Sequence, residues 1–237
     1  MDERFPDEFV TWNHKTFAGI KVNEVFGMDS KTGRAWLELA RQIYCEENDN
    51  FYRVINHFEN NAPYLEDYPG RISITHTNHL FAVATLPKTP EVALNEFNPR
   101  SAMGIDAESL DRGQVLKVRD KFLSEEELNM IPAENITENI LAWTAKEAII
   151  KASLFAGINY KDNIKLLRLP KLLDDPLKGN VKDFGEALLL LDANPCERDS
   201  SNEEKREETF EMKLFSYKSY GCAVTIAFSP KCAKFGK

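Results

Sequence analysis

TENILAWTAKEAIIKASLF, residues Thr137 to Phe155, is the stretch on which the fold turns. Leu141, Ala145, Ala148, Ala152 and Phe155 recur at the three- and four-residue steps of one helix face, and Gly157 stands where a left-handed residue would end the helix. The spacing predicts a helix over this range. Thr144, Glu147 and Lys151 form a second stripe, read here as its polar side. A carboxylate and an ammonium group one turn apart project together from a helix.

Outward from this helix the pattern changes to strands. Towards the C-terminus, strands are predicted near Ile164 to Leu169, Ala187 to Leu191, Phe210 to Tyr217 and Cys222 to Phe228. The charged stretch Asn194 to Glu208 is read as a mobile loop between them. Towards the N-terminus, Ser124 with Glu127 three residues later has the form of a capping box. A short helix holding Val115, Val118 and Phe122 precedes it, and a strand over about Ser101 to Asp106 precedes that. Pro87 to Arg100 is read as an exposed connection. Arg71 to Leu86 reads as a hairpin about Thr77-Asn78, and Ser30 to Tyr44 as an amphipathic helix carrying Lys31, Arg34 and Arg41 on its flanks.

The expected class is therefore α+β. Ile72 to Leu86 and Leu214 to Phe228 share one order: strand, polar turn, apolar strand. This echo suggests two similar α/β halves forming a pseudo-dimer, residues 1–100 and 101–237.

The 237 residues, 43% hydrophobic and 29% charged, can bury a core without disulfide or metal staples. A net charge of -8 disfavours nucleic acid or an anionic membrane as the main partner, since polyanions select broad basic surfaces. Met1 to Asp7 is acidic and lacks the apolar core of a signal peptide, so the cytoplasm is the expected location. Cys45, Cys196, Cys222 and Cys232 show no metal-like spacing with His14, His57, His76 and His79 and are read as reduced thiols.

Asp106 and Glu108 lie two residues apart at a strand end, which puts both carboxylates on one face. If the long helix packs on that strand, Glu147 joins them and Lys151 stands beside. Hard oxygen donors in this number suit Mg²⁺, which completes its shell with water and substrate phosphate. On spacing alone, solvated surface pairs explain the same residues.

Gly104-Ile105-Asp106-Ala107-Glu108, followed by Trp143-Thr144-Ala145-Lys146-Glu147-Ala148-Ile149-Ile150-Lys151, resembles the paired signature of the 4'-phosphopantetheinyl transferase superfamily. Ala62-Pro63-Tyr64 and Ile72 to Thr77 resemble two upstream segments of that family, and Lys121-Phe122-Leu123-Ser124 a third. Length and the internal echo match the larger, pseudo-dimeric branch, the surfactin-synthetase-activating type. Against the family pattern, Thr75 replaces a serine, Ala107 a larger aliphatic residue, and the gap from His76 to Asp106 is long.

The resemblance implies transfer of 4'-phosphopantetheine from coenzyme A to a serine of an apo acyl or peptidyl carrier protein, releasing 3',5'-ADP. It makes Asp106, Glu108 and Glu147 ligands of Mg²⁺, with Mn²⁺ as a substitute. Glu147 and Lys151 are the implied catalytic pair. Lys146, Lys151, Thr75 and His76 are implied contacts of coenzyme A; the residues before Ala62 match the family poorly, and Lys31, Arg34 and Arg41 are read there as candidate phosphate ligands. His79 and Trp143 are read as structural. Lys117, Arg119 and Lys121 are read either as a surface for an acidic carrier or as an ordinary exposed helix face. Two other readings stand beside this one: a catalytically silent homologue that binds coenzyme A, and a Mg²⁺-dependent pyrophosphate hydrolase.

Overall fold

A computed structural model describes residues 12–17, 20–26, 55–65, 70–86, 97–99, 101–155, 157–176, 179–192 and 207–231. Strands β1 (Trp12–Phe17) and β2 (Ile20–Phe26) come first, then a separate ribbon of β3 (Ile55–His57) and β4 (Pro63–Leu65). The expected hairpin is β5 (Arg71–His76) and β6 (Leu80–Leu86), its turn closed by Thr77 N–H donating to the Leu80 carbonyl at 2.8 Å. These form an antiparallel sheet in the order β1-β2-β6-β5. The sequence reading had no strands in β1 and β2, although Ile20 and Val22 alternate with Lys21 and Asn23 in a period of two.

A second sheet is built from β7 (Met103–Ser109), β8 (Ile164–Arg168), β9 (Leu172–Leu173), β10 (Gly185–Asp192), β11 (Glu207–Ser219) and β12 (Cys222–Phe228). Its order is β7-β12-β11-β10-β8, with β9 running parallel to β11. The helices are α1 (Gln114–Phe122), α2 (Glu125–Met130) and α3 (Ile136–Ser153). The fold is an α+β mix of helices and antiparallel sheets.

The second sheet is covered on both faces. Ala223 and Ala227 of β12 face α3, where they join Ala145, Ala148 and Ala152. Val224, Ile226 and Phe228 face the first sheet, where they meet Ile20, Val22 and Ala82. Period two thus sends alternate residues into two different cores, and β12 is buried throughout.

The capping box of α2 forms as expected. Ser124 Oγ accepts from Glu127 N–H, and Glu127 Oε2 accepts from Ser124 N–H at 2.8 Å. For α3, Asn135 supplies the N-cap to Glu138 N–H. Its end differs from the expectation: the left-handed residue that caps the helix is Leu154 at φ 61°, three positions before Gly157, which is itself at φ 81°, and Phe155 lies beyond the helix. The Leu154 carbonyl accepts from Asn60 Nδ2 at 2.6 Å. Nor is the second stripe simply polar and solvated. Thr144 is buried and its hydroxyl meets that of Thr225 at 2.7 Å, because α3 lies in the interior and its polar groups must be satisfied there.

The expected helix at Ser30 to Tyr44 lies outside the described residues, as do Cys45, Cys196, Cys232 and all but the last two residues of the expected loop. Those two, Glu207 and Glu208, begin β11. No helix among the described residues is long and apolar enough to cross a membrane.

Candidate active site

Gly104 determines how the site assembles. A Cβ placed there would lie 2.1 Å from the Ala148 carbonyl oxygen and 2.7 Å from Ala152 N, so only glycine lets α3 come down onto β7 at this point. Residues 104, 106 and 108 share one strand face, so the acids of β7 are carried to the same side as the glycine. Asp106 and Glu108 are each 8% exposed. Glu147 and Lys151 reach that side from α3.

Lys151 Nζ donates to Asp106 Oδ1 at 2.7 Å and to the carbonyls of Ile105 at 3.1 Å and Ile74 at 3.3 Å. It therefore links α3, β7 and β5. Thr75 Oγ1 donates to the same Asp106 oxygen at 3.1 Å and accepts from Ala107 N–H at 3.0 Å. Burial pushes the Asp106 carboxyl above its usual range, against the pull of Lys151 and Thr75.

Glu108 accepts from Arg112 Nη1 and from Ser109 N–H. Glu147 Oε1 accepts from the Tyr160 hydroxyl. Burial raises the Glu147 carboxyl; the Tyr160 hydrogen bond opposes this, repulsion from Asp106 and Glu108 adds to it, and Lys151 draws it down. Each of the three acids turns an oxygen to a different partner: Asp106 to Lys151, Glu108 to Arg112 and Glu147 to Tyr160. Among the described residues, no group of three or more His, Cys, Asp or Glu side chains stands arranged to hold a metal ion.

Other residues implicated by the sequence lie elsewhere or are occupied. Lys146 is wholly buried; its Nζ donates to Glu127 Oε2 at 2.6 Å and to the carbonyls of Tyr160 at 2.7 Å and Ile164 at 3.2 Å. All three of its N–H donors are used inside the protein, which leaves none for a phosphate. Thr75 is 2% exposed and spends its hydroxyl on β7. His76 is exposed at the end of β5, its ring stacked on Phe81 at 5.5 Å. Arg119 is turned inward to Asn139 Oδ1 and the Ile131 carbonyl, whereas Lys117 and Lys121 are exposed. Lys31, Arg34 and Arg41 lie outside the described residues.

Beside Glu108 lies a small cavity of ≈ 120 Å³ lined by Arg112, Val115, Val118 and Trp143. Trp143 packs edge-on to Phe122 at 5.1 Å and stacks on Tyr160 at 5.6 Å, so it is both a packing residue and a wall of this cavity. A larger cavity of ≈ 410 Å³ lies at the other end of α3, by Asn135 and Glu138, away from the acids. The sequence reading missed Arg112 and Tyr160. Arg112 is four residues after Glu108, but the strand ends between them. Tyr160 lies in a turn, where periodicity carries no signal.

Compared singly with curated proteins, the chain finds no match. The model of the 4'-phosphopantetheinyl transferase superfamily matches residues 102–225, a span that includes the three acids, Lys146, Lys151 and the sheet beneath them. With more than half of its length matched by that model, and with the paired motif residues drawn together by α3 and β7, the chain belongs to the 4'-phosphopantetheinyl transferase superfamily.

Proposed function

We propose that the protein transfers 4'-phosphopantetheine from coenzyme A to a serine of an apo acyl or peptidyl carrier protein. The carrier serine oxygen attacks the pantetheine-side phosphorus, the bond from that phosphorus to the bridging oxygen breaks, and 3',5'-ADP leaves. Membership of the family supports the class of reaction. The observation that carries the site is geometric: Gly104 lets α3 lie directly on β7, so that Lys151 of the helix meets Asp106 of the strand at 2.7 Å with Glu147 one turn before it.

Asp106, Glu108 and Glu147 are hard oxygen donors of the kind Mg²⁺ takes, and they are assigned here as its ligands, with Mn²⁺ as a substitute; they are turned to Lys151, Arg112 and Tyr160, and would hold the ion through the lone pairs that these contacts leave. The ion would supply neutralisation of charge on the diphosphate. Lys151 holds Asp106 in place and orders the β5–β7 junction through its carbonyl contacts. Glu147, whose carboxyl burial raises above its usual range, is assigned to accept the serine proton. His76, exposed at the end of β5, remains the residue of that strand free to reach the nucleotide. Lys146 acts from beneath the site, through Glu127 and the Tyr160 carbonyl.

The pseudo-dimeric branch is part of the same proposal, with halves at 1–100 and 101–237. It is supported by the order β2-β6-β5 in one sheet and β7-β12-β11 in the other: in each, an early strand pairs with the second strand of a hairpin. A cytoplasmic location fits a carrier-modifying enzyme.

The test combines the protein, coenzyme A, Mg²⁺ and a panel of apo carriers, with intact mass as the readout. One phosphopantetheine should be added to a carrier, and Glu147→Gln should abolish the gain while the protein stays folded. Release of pantetheine phosphate with no carrier gaining mass would mark a hydrolase instead. Bound coenzyme A with neither product would mark a silent homologue.

A further inference from the structure

Tyr160 has a role that the motif does not contain. It sits in the turn after α3, and its backbone is fixed from several sides. Lys146 Nζ holds its carbonyl at 2.7 Å. On either side of it, Asn159 N–H donates to Asn163 Oδ1 at 2.9 Å and Asn163 N–H returns to the Asn159 carbonyl at 3.0 Å. Asn163 in turn exchanges hydrogen bonds with Leu190 of β10, at 2.9 Å from its side chain and 2.8 Å to its carbonyl. The ring lies on Trp143 with an interplanar angle of 18°. Its hydroxyl then donates to Glu147 Oε1.

Trp143 and Glu147 are one turn apart on α3, so the ring is held by one turn and the hydroxyl grips the next. An unrestrained glutamate samples several rotamers, and fixing one costs entropy each time it takes up a ligand. Here that restriction is built into the fold, and only one of the two carboxylate oxygens is used for it. The other, Oε2, takes no hydrogen bond among the described residues.

We propose that Tyr160 is a positioning residue for Glu147: held by Trp143 and by the Lys146 contact, it fixes the carboxylate so that its second oxygen is offered to the divalent ion. This rests on the assignment of Glu147 as a metal ligand made above. Removing the outer partner of a metal ligand commonly costs about 10–100-fold in affinity, and a single phenol hydroxyl belongs at the lower end.

The test is Tyr160→Phe in the full chain, which keeps the ring on Trp143 and removes only the hydroxyl. Free Mn²⁺ is followed by its electron paramagnetic resonance signal, without coenzyme A or carrier. The expected result is a Kd for Mn²⁺ weaker by about tenfold, a melting temperature close to the wild type, and, in the transfer assay, a higher Mg²⁺ requirement with the KM for coenzyme A unchanged. Unchanged or tighter Mn²⁺ binding in Tyr160→Phe would overturn the proposal, as would a wild type that binds no Mn²⁺. A wild type that binds Mn²⁺ yet modifies no carrier would refute the transferase reading alone, because the affinity comparison still decides the role of Tyr160.

Discussion

Lys146 separates what a motif implies from what a side chain does. Its ammonium lies fully buried against Glu127, with two backbone carbonyls completing its shell, and burial holds its pKa below the usual lysine range. Removing one member of such a pair leaves the other charge buried and alone, which typically costs about 3–5 kcal/mol. Lys146→Met should therefore lose about that much stability in urea denaturation, and Lys146→Met with Glu127→Gln should recover part of it. A variant that stays stable but raises the KM for coenzyme A would return Lys146 to phosphate binding. Cys222 offers a second test at this scale. It is 2% exposed, and burial together with nearby carboxylates pushes its thiol up, against a hydrogen bond with Thr77. A raised thiol pKa means less thiolate at any given pH. Alkylation of native Cys222 followed by peptide mass should be slower at pH 8 than in the unfolded chain, and should keep rising with pH after the unfolded thiol has reached its plateau. Equal rates in the two states would contradict the burial.

At the scale of elements, one contact decides whether α3 can serve the site. The helix backbone meets β7 at Gly104, and the atoms in the way of a Cβ are backbone atoms, which cannot swing aside as a side-chain end would. Overpacking a core usually costs about 1–3 kcal/mol, and Gly104→Ala belongs at the upper end of that range. The expected outcome is a loss of stability together with a loss of transfer activity, since the shift that makes room also moves Glu147 and Lys151 away from Asp106. Full activity in a stable Gly104→Ala protein would show that the helix–strand approach is not needed. The capping box at Ser124 and Glu127 shows the same economy: Glu127 caps the start of α2, receives Lys146 from α3, and accepts Leu166 N–H of β8 at 2.8 Å.

For the molecule as a whole, the two sheets are joined by polar groups as well as by the shared apolar core. Ser73 Oγ accepts from Ile105 N–H at 3.1 Å and Thr75 Oγ1 from Ala107 N–H at 3.0 Å, so hydroxyls of β5 satisfy the open edge of β7. Further along, the buried Glu24 carboxylate of β2 accepts from Tyr217 at 2.5 Å and Ser219 at 2.7 Å on β11. Thr75→Val keeps the shape and removes the acceptor, leaving Ala107 N–H buried and unsatisfied at a cost of about 1–3 kcal/mol. The measurement is chemical denaturation, with hydrogen exchange at Ala107 as the local readout. Exchange there should accelerate relative to Ile226 in the middle of β12, and an unchanged rate would show that the edge is protected by something else.

Much of this was already written in the order of residues. The alternation in Arg71 to Leu86 and Cys222 to Phe228, the helical spacing around Glu147, the Ser124 capping signal and the two motif halves depend only on neighbours along the chain, and each reappears as the expected strand, helix or cap. Local periodicity is enough for these because one turn or one pleat sets which side chains share a face. It was silent where a partner comes from far away. That Thr144 is buried, that Thr75 and Lys146 face inward, and that Tyr160 reaches Glu147 all follow from packing of α3 against its neighbours and of one sheet on the other. Burial and hydrogen-bond partners are properties of the assembled layers, so only the tertiary structure could decide them.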